Sequence, residues 1–351
     1  MKILSVIIPT YNMSEYIEQA LNSLITDRIE ELDILVINDG SKDDSSDKAK
    51  QIAKNYPGSI RVIDKNNGNY GSCINRGLKE AVGKYVKILD ADDHFDNNCF
   101  TEYIDLLKRQ DCDIVINDYL EVNNQDKTLK SHTYDEIPQR KDLLLANLIE
   151  EIPSERIAMH AVAFKLNLLR TIEYTQTEGI SYTDDEWIFS PWGFADTLYY
   201  TRLPVYRYLV GRIGQTVDTQ ILHRRIDQLY TVLQSTTSYY IKHQTEITSF
   251  GQQYLTKRLE RGYVNLFLRY LMGGNKFASF HPNKVLEKLQ TDLPELYNYL
   301  IEKRLLIARI IPVKYFVEFQ NKNSFSIKLH LLKIWIKTSS RLHQVLGIHS
   351  S

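Results

Sequence analysis

Tyr85-Val86-Lys87-Ile88-Leu89-Asp90-Ala91-Asp92-Asp93 is the stretch on which the reading of this chain turns. Tyr85 to Leu89 is a short, largely apolar run that predicts a buried strand, and it stops abruptly at three carboxylates. Strands of open α/β sheets present their ligands just beyond their carboxyl ends. Asp90-x-Asp92 sets two carboxylates on one tight turn, where they can hold a hard divalent cation beside phosphate oxygens. A plain acidic surface turn would use the same residues, since Asp is common in loops. The neighbouring segments decide between the two.

Upstream, apolar β-branched runs alternate with helical spacing. Strands are expected at Ile3–Ile8, Leu32–Ile37 and Ser59–Ile63. Helices are expected from Ser14 to about Ile25, from Ser41 or Asp43 to about Asn55, and from Ser72 to Ala81. That alternation specifies βαβ units and a mainly parallel sheet. Downstream, Thr101–Lys108 reads as a helix and Asp113–Asn117 as a strand. Asn123–Lys141 reads as a hairpin or loop, and Lys141–Glu150 as a helix. His160–Phe164 predicts a strand, with a helix from near Asn167 and a further one opening at Ile180–Trp187. Leu198–Tyr208 reads as strand-turn-strand around Pro204.

From about Gln220 helical spacing takes over, which places a boundary near residue 218. Residues 1–218 then form an α/β domain, divisible near residue 120 into two halves, and residues 219–351 a mostly helical region. The last stretch, Phe319–Ser351, has five Lys or Arg residues and no acid, with Ile327, Leu331, Ile334, Leu342 and Val345 spaced to share a helix face. Such a helix suits an anionic membrane surface or packing on its neighbours. Tyr254, Tyr263, Phe267 and Tyr270 on the preceding helices equally suit a homodimer interface.

The 351 residues are enough for one large or two ordinary domains, and a formal net charge of −1 gives no global case for nucleic-acid binding. Three cysteines without a CxxC argue against a disulfide framework or a structural zinc site, and fit a reducing cytoplasm. The apolar run at the N-terminus is too short for a signal peptide, and no stretch reaches the ~18 apolar residues of a membrane span.

Each early strand ends in a polar cluster at one edge of the expected sheet: Thr10-Tyr11-Asn12, Asp39-Gly40-Ser41, Asn66 to Gly71 and Asp90 to Asp93. Together they supply a ring, carboxylates, amides and a candidate cation site, an inventory that suits a nucleoside diphosphate. Val6-Ile-Ile-Pro-Thr-Tyr-Asn12, Val36-Ile-Asn-Asp39-Gly-Ser41, Asn67-Gly68, Asn75-Arg76-Gly77 and Leu89-Asp90-Ala-Asp92-Asp93, in that order and spacing, resemble the family 2 glycosyltransferases. The resemblance is strong over residues 1–120, weaker to about 215 and absent beyond. It implies a GT-A fold and a nucleotide-activated sugar as donor.

Carried onto this chain, the resemblance implies that Pro9, Thr10 and Tyr11 line the nucleobase and that Asp39 takes its N–H. Asn67, Gly68, Asn75 and Arg76 would shape the nucleotide and sugar pocket. Asp90, with Ala91 beside it, would meet the donor's ribose or sugar, while Asp92, assisted by Asp93, would hold Mn²⁺ or Mg²⁺. Family members carry an acid pair on a helix near the acceptor; Thr183-Asp184-Asp185-Glu186-Trp187 matches with Asp184 as base. Thr183 stands where the family has Glu, so the register is open by one residue and Asp185 is the fallback. The same acids also suit a helix N-terminus. Arg207 or Arg212 could reach the pyrophosphate, and His160, beside an apolar run, reads as structural.

The implied activity is inverting, metal-dependent transfer of a sugar, by resemblance from a UDP-sugar, to a hydroxyl. A lipid-linked saccharide of capsule or exopolysaccharide synthesis fits as acceptor, with the protein cytoplasmic or peripheral on the inner membrane face. The alternatives are a nucleotidyltransferase, which lacks its Gly-rich basic loop here, and a non-catalytic nucleotide-sugar-binding scaffold. A Rossmann dehydrogenase is disfavoured because no G-x-G-x-x-G follows the first strand.

Overall fold

A computed structural model describes residues 1–139, 143–211, 226–273 and 281–302. The chain opens with β1 (Leu4–Thr10), α1 (Ile17–Asn22), β2 (Leu32–Asn38), α2 (Ser45–Ala53), β3 (Ile60–Asp64), α3 (Asn69–Glu80) and β4 (Tyr85–Ile88). β3, β2, β1 and β4 pair side by side and in parallel, as right-handed βαβ crossovers require. Every residue of β2 and β4 is buried, which is why these strands read as continuous apolar runs rather than alternating ones. Gly77 lets α3 lie against β1, because a Cβ there would meet the Ile7 side chain at 2.6 Å.

Next come β5 (His94–Phe95), α4 (Asn97–Arg109), β6 (Ile114–Val122), β7 (Thr128–His132), β8 (Leu143–Leu144), β9 (Val162–Lys165), α5 (Leu166–Thr171), α6 (Asp184–Trp187) and β10 (Thr197–Leu209). The full path runs β3-β2-β1-β4-β9-β6-β10-β5, with β7 on β6 and β8 on β10. Beyond β4 the sheet is mixed: β9 is antiparallel to both β4 and β6, while β10 is parallel to β6. The fold is GT-A-like, a mixed sheet flanked by helices with a helical C-terminal region.

Two local expectations change, and one is met. Residues 143–147 form β8 and a short 3-10 turn, not a helix, because Leu143 and Leu144 pair with the start of β10. Pro204 does not turn the chain: β10 is one strand of 13 residues whose register on β6 shifts around Pro204. Proline cannot donate to a ladder, and a bulge absorbs the missing bond. The expected hairpin after Asn123 is β6–β7.

The described chain divides into two compact units, Met1–Ile213 with Ser238–Leu255, and Gly214–Thr237 with Thr256–Ser351. The boundary expected near residue 218 lies outside the described residues. In the first unit Trp192 stacks on Tyr254 at 4.4 Å, and the Tyr254 hydroxyl donates to the Ile188 carbonyl. The C-terminal helices are α7 (Ile226–His243), α8 (Ser249–Gly273), α9 (Pro282–Asp292) and α10 (Pro294–Glu302). Tyr254, Tyr263 and Phe267 are buried within the chain, so they do not offer the free aromatic face a dimer interface would use. The side chain of Tyr270 and the whole basic stretch 319–351 lie outside the described residues. No helix among the described residues is long and apolar enough to cross a membrane.

Candidate active site

The carboxyl ends of β1 to β4 meet along one rim. Tyr11, just past β1, is 44 % exposed there, whereas most aromatic side chains of this unit are buried. Pro9 is half-buried; Thr10 is buried with its hydroxyl donating to the Ile8 carbonyl of its own strand. Asn12 takes a positive φ of 52°, and the loop behind it is laced to the loop after β2. The N–H groups of Asn12, Met13 and Ser14 donate to Ser41 Oγ, Ser45 Oγ and Asp43 Oδ2.

Asp39 is buried, and its carboxylate accepts from the chain itself: Lys65 Nζ at 2.6 Å, the Gly68 N–H at 2.9 Å and the Asn69 N–H at 2.9 Å. The Asn67 side-chain amide donates to the Asp39 carbonyl. Asp39 therefore fixes the backbone of the Asn66–Asn69 loop, whatever it offers a ligand. Lys65, which also donates to the Asn66 carbonyl and Ser72 Oγ, has no part in the sequence motif. Its only sequence signal is its place directly after a strand.

At the acid turn the three carboxylates are in different states. Asp90 is half-buried and accepts from the Tyr70 hydroxyl at 2.8 Å, with Ala91 buried beside it. Asp92 is also half-buried. Asp93 is buried, accepting from the Tyr206 hydroxyl and the Leu209 N–H, both at 2.7 Å. The Tyr206 hydroxyl in turn accepts from the Asp90 N–H at 3.1 Å, so β10 clamps both ends of the turn. Burial, then the charges of Asp92 and Asp90, pushes the Asp93 carboxyl well above the usual carboxylate range. Crowded carboxylates in a partly dry site suit a divalent cation, which would relieve their repulsion. One oxygen each of Asp90 and Asp93 and a ring nitrogen of His160 lie within 4.8 Å of one another. His160 thus stands at the turn, where its sequence setting suggested only a structural role.

His160 stacks on Tyr208 at 4.4 Å, and burial pushes its imidazole down to about 3. Beneath it, Lys87 is buried in β4 and is held well below the ordinary lysine range by burial. The same Tyr208 hydroxyl is pushed up by burial and then by the charges of Asp93, Asp90, Asp92 and Asp184. Tyr70 is raised by burial, then Asp90, with Asp184 contributing again.

Asp184 and Asp185 are both exposed at the start of α6, and the charge of Asp184 adds to those that raise Tyr70 and Tyr208. Glu186 is buried and spent: it accepts from the Thr177 N–H at 2.7 Å and hydroxyl at 2.6 Å. That bond orders the loop before α6, which also packs on α3, where a Cβ at Gly71 would meet the Thr177 carbonyl at 2.1 Å.

The remaining candidates point elsewhere. Asn75 exchanges hydrogen bonds with the Gln176 backbone and donates to Glu178. It docks the 176–178 loop rather than facing a ligand. Arg76 pairs with Glu80 one turn on, which also meets Arg61 and, through it, Asp33 near the start of β2. That places Arg76 toward the amino ends of the strands, away from the rim. Arg207 pairs with Asp96 at 2.7 Å, the residue that caps α4. Arg212 lies outside the described residues.

The description "Glycosyl transferase family 2" matches residues 5–163, which take in β1 to the first half of β9 and the whole acid turn. Residues 5–163 thus carry a family 2 glycosyltransferase domain. It is 40% identical over 121 residues to the uncharacterized glycosyltransferase MG060 of Mycoplasma genitalium, covering 33% of this chain and 41% of that protein. It is 39% identical over 111 residues to the uncharacterized glycosyltransferase YibD of Escherichia coli, covering 32% of each. The matched stretch thus spans less than half the length of these relatives. Among solved structures, S. aureus TarS residues 1–349 is similar with a TM-score of 0.51 at 18% identity, covering 77% of this chain and 86% of that one. At that identity the likeness is one of fold, and it extends the agreement well past residue 163.

Proposed function

We propose that this family 2 member transfers a sugar from a nucleotide donor to an acceptor hydroxyl with inversion, using a divalent cation at the acid turn. The observation that carries the reading is the acid turn beyond β4, where oxygens of Asp90 and Asp93 and a ring nitrogen of His160 lie within 4.8 Å of one another and Asp184 raises the same Tyr208 hydroxyl as the turn's carboxylates. A base and a leaving-group site in one electrostatic neighbourhood is what a single displacement needs. Asp184, which adds to the charges that raise Tyr70 and Tyr208, takes the acceptor proton, with Asp185 beside it as the fallback. When bound, the cation supplies positive charge against the departing diphosphate. Tyr11 offers the nucleobase a ring, and Asp39 holds the loop that walls the donor.

A UDP-sugar is the proposed donor; TarS, of like fold, was solved in complex with UDP-GlcNAc. A lipid-linked saccharide is the proposed acceptor, reached from the cytoplasmic membrane face through the basic stretch 319–351. Residues 1–218 are proposed as the catalytic domain. Calorimetric titration with UDP, GDP and CDP, with and without Mn²⁺, tests the donor site. Binding of UDP alone, and only with metal, is expected; no binding of any nucleotide in either condition would favour a non-catalytic scaffold.

A further inference from the structure

The acid turn offers a ligand that the Asp-x-Asp motif does not name. Oxygens of Asp90 and Asp93 and a ring nitrogen of His160 lie within 4.8 Å of one another. Ligands sharing one ion at bonds of about 2.0–2.2 Å stand at most about 4.4 Å apart, so side-chain rotation alone can close the set. Asp93 has lone pairs to spare, since each of its oxygens accepts a single bond from Tyr206 or Leu209 and can accept a second.

His160 is held in place from behind. Lys87 Nζ donates to the His160 carbonyl at 2.9 Å, to the Val162 carbonyl at 3.3 Å and to Asn117 Oδ1 at 2.9 Å. The ring lies between Tyr208, stacked at 4.4 Å, and Tyr206, tilted at 4.7 Å. Its Nδ1 is shielded from solvent and has no hydrogen-bond partner among the described residues. A buried polar atom left in that state asks for an occupant.

We propose that His160 is a ligand of the cation together with Asp90 and Asp93, and that it makes the site prefer first-row transition ions, Mn²⁺ among them, over Mg²⁺. The inference rests on the metal-dependent reading above. Carboxylates serve either kind of ion, whereas imidazole adds affinity for transition ions and Mg²⁺ keeps to oxygen ligands and water. Asp92 stands outside the trio.

The test is Mn²⁺ binding to the full chain without nucleotide, read by electron paramagnetic resonance of the free ion, with Mg²⁺ as competitor. Wild type is expected to bind Mn²⁺ at least ~10-fold more tightly than Mg²⁺. His160→Gln should lose about 10–100-fold in Mn²⁺ affinity and leave Mg²⁺ nearly unchanged. His160→Asp should bind both ions with little preference, a change of selectivity that a misfolded variant cannot mimic. Wild-type Mn²⁺ affinity in His160→Gln, or a wild-type preference in His160→Asp, overturns the assignment while leaving the metal-dependent reading intact. A wild type that binds neither ion, with or without UDP, removes both.

Discussion

Around β1 to β4 the polar residues of the rim tie neighbouring loops to one another: Asp39 to the loop at Gly68 and Asn69, Ser41 and Asp43 to the loop after β1. Around β9 and β10 they reach back across the sheet instead, Tyr206 to Asp90 and Asp93, and His160 toward the same two carboxylates. The first region builds a backbone shape; the second finishes the chemistry of a turn it does not belong to. The residues that carry the family resemblance are thus heavily engaged in shaping loops. Several residues that complete the site sit where no motif marks them.

The contrast breaks most visibly at Asp184. Asp184→Asn is expected to cut turnover by about 10²–10⁴-fold while donor affinity stays within about 2-fold. Equal turnover in Asp184→Asn and wild type, read by release of nucleoside diphosphate, would move the base to Asp185 or elsewhere. Asp39→Ala should be costly in a different currency, destabilising the fold by about 3–5 kcal/mol in urea denaturation. It strands the charge of Lys65 and frees two N–H groups that the carboxylate now holds. Little change in the midpoint would mean that Asp39 is held ready for a ligand rather than for its own loop.

Smaller effects follow. Glu186→Gln keeps one acceptor for Thr177 and is expected to lose about 1–3 kcal/mol, with faster amide exchange across residues 176–180. Unaltered exchange there would detach Glu186 from the ordering of the base. Arg76→Ala should shift stability by no more than ~0.5 kcal/mol and donor affinity by less than about 2-fold, because its exposed pairing with Glu80 is far from the rim. A large loss of donor binding in calorimetry would return Arg76 to the pocket.

How much of this was legible in the sequence follows the same division. The buried strands β1, β2 and β4 announce themselves as largely apolar runs, broken only by buried Ser5, Asp33 and Lys87, and each ends in a polar cluster, so the parallel half and its rim could be read directly. β9 was legible as a strand at His160–Phe164 but not as an antiparallel one, since four residues carry no direction and its partners are set by tertiary packing. Pro204 looked like a turn because local chemistry says so; only the pairing of β10 with β6 makes it a bulge. Asn75 and Arg76 sit in one motif but face different surroundings, and a string of letters does not say which way a helix is rotated. Lys65, Glu186 and Tyr206 are single residues whose partners lie 26, 9 and 113 positions away, so nothing beside them advertises their role.

The span of 113 positions between Asp93 and Tyr206 has a consequence for how the chain folds as it is made. On the ribosome the whole recognisable stretch, residues 5–163, is out before the residue that clamps its acid turn has been made. The nascent sheet can zip β1 to β4 together early, but the carboxylates of the acid turn are clamped only once β10 arrives. Until then the growing chain has the rim in outline with its acid turn unset, and a fragment cut at residue 163 would keep that unfinished state for good.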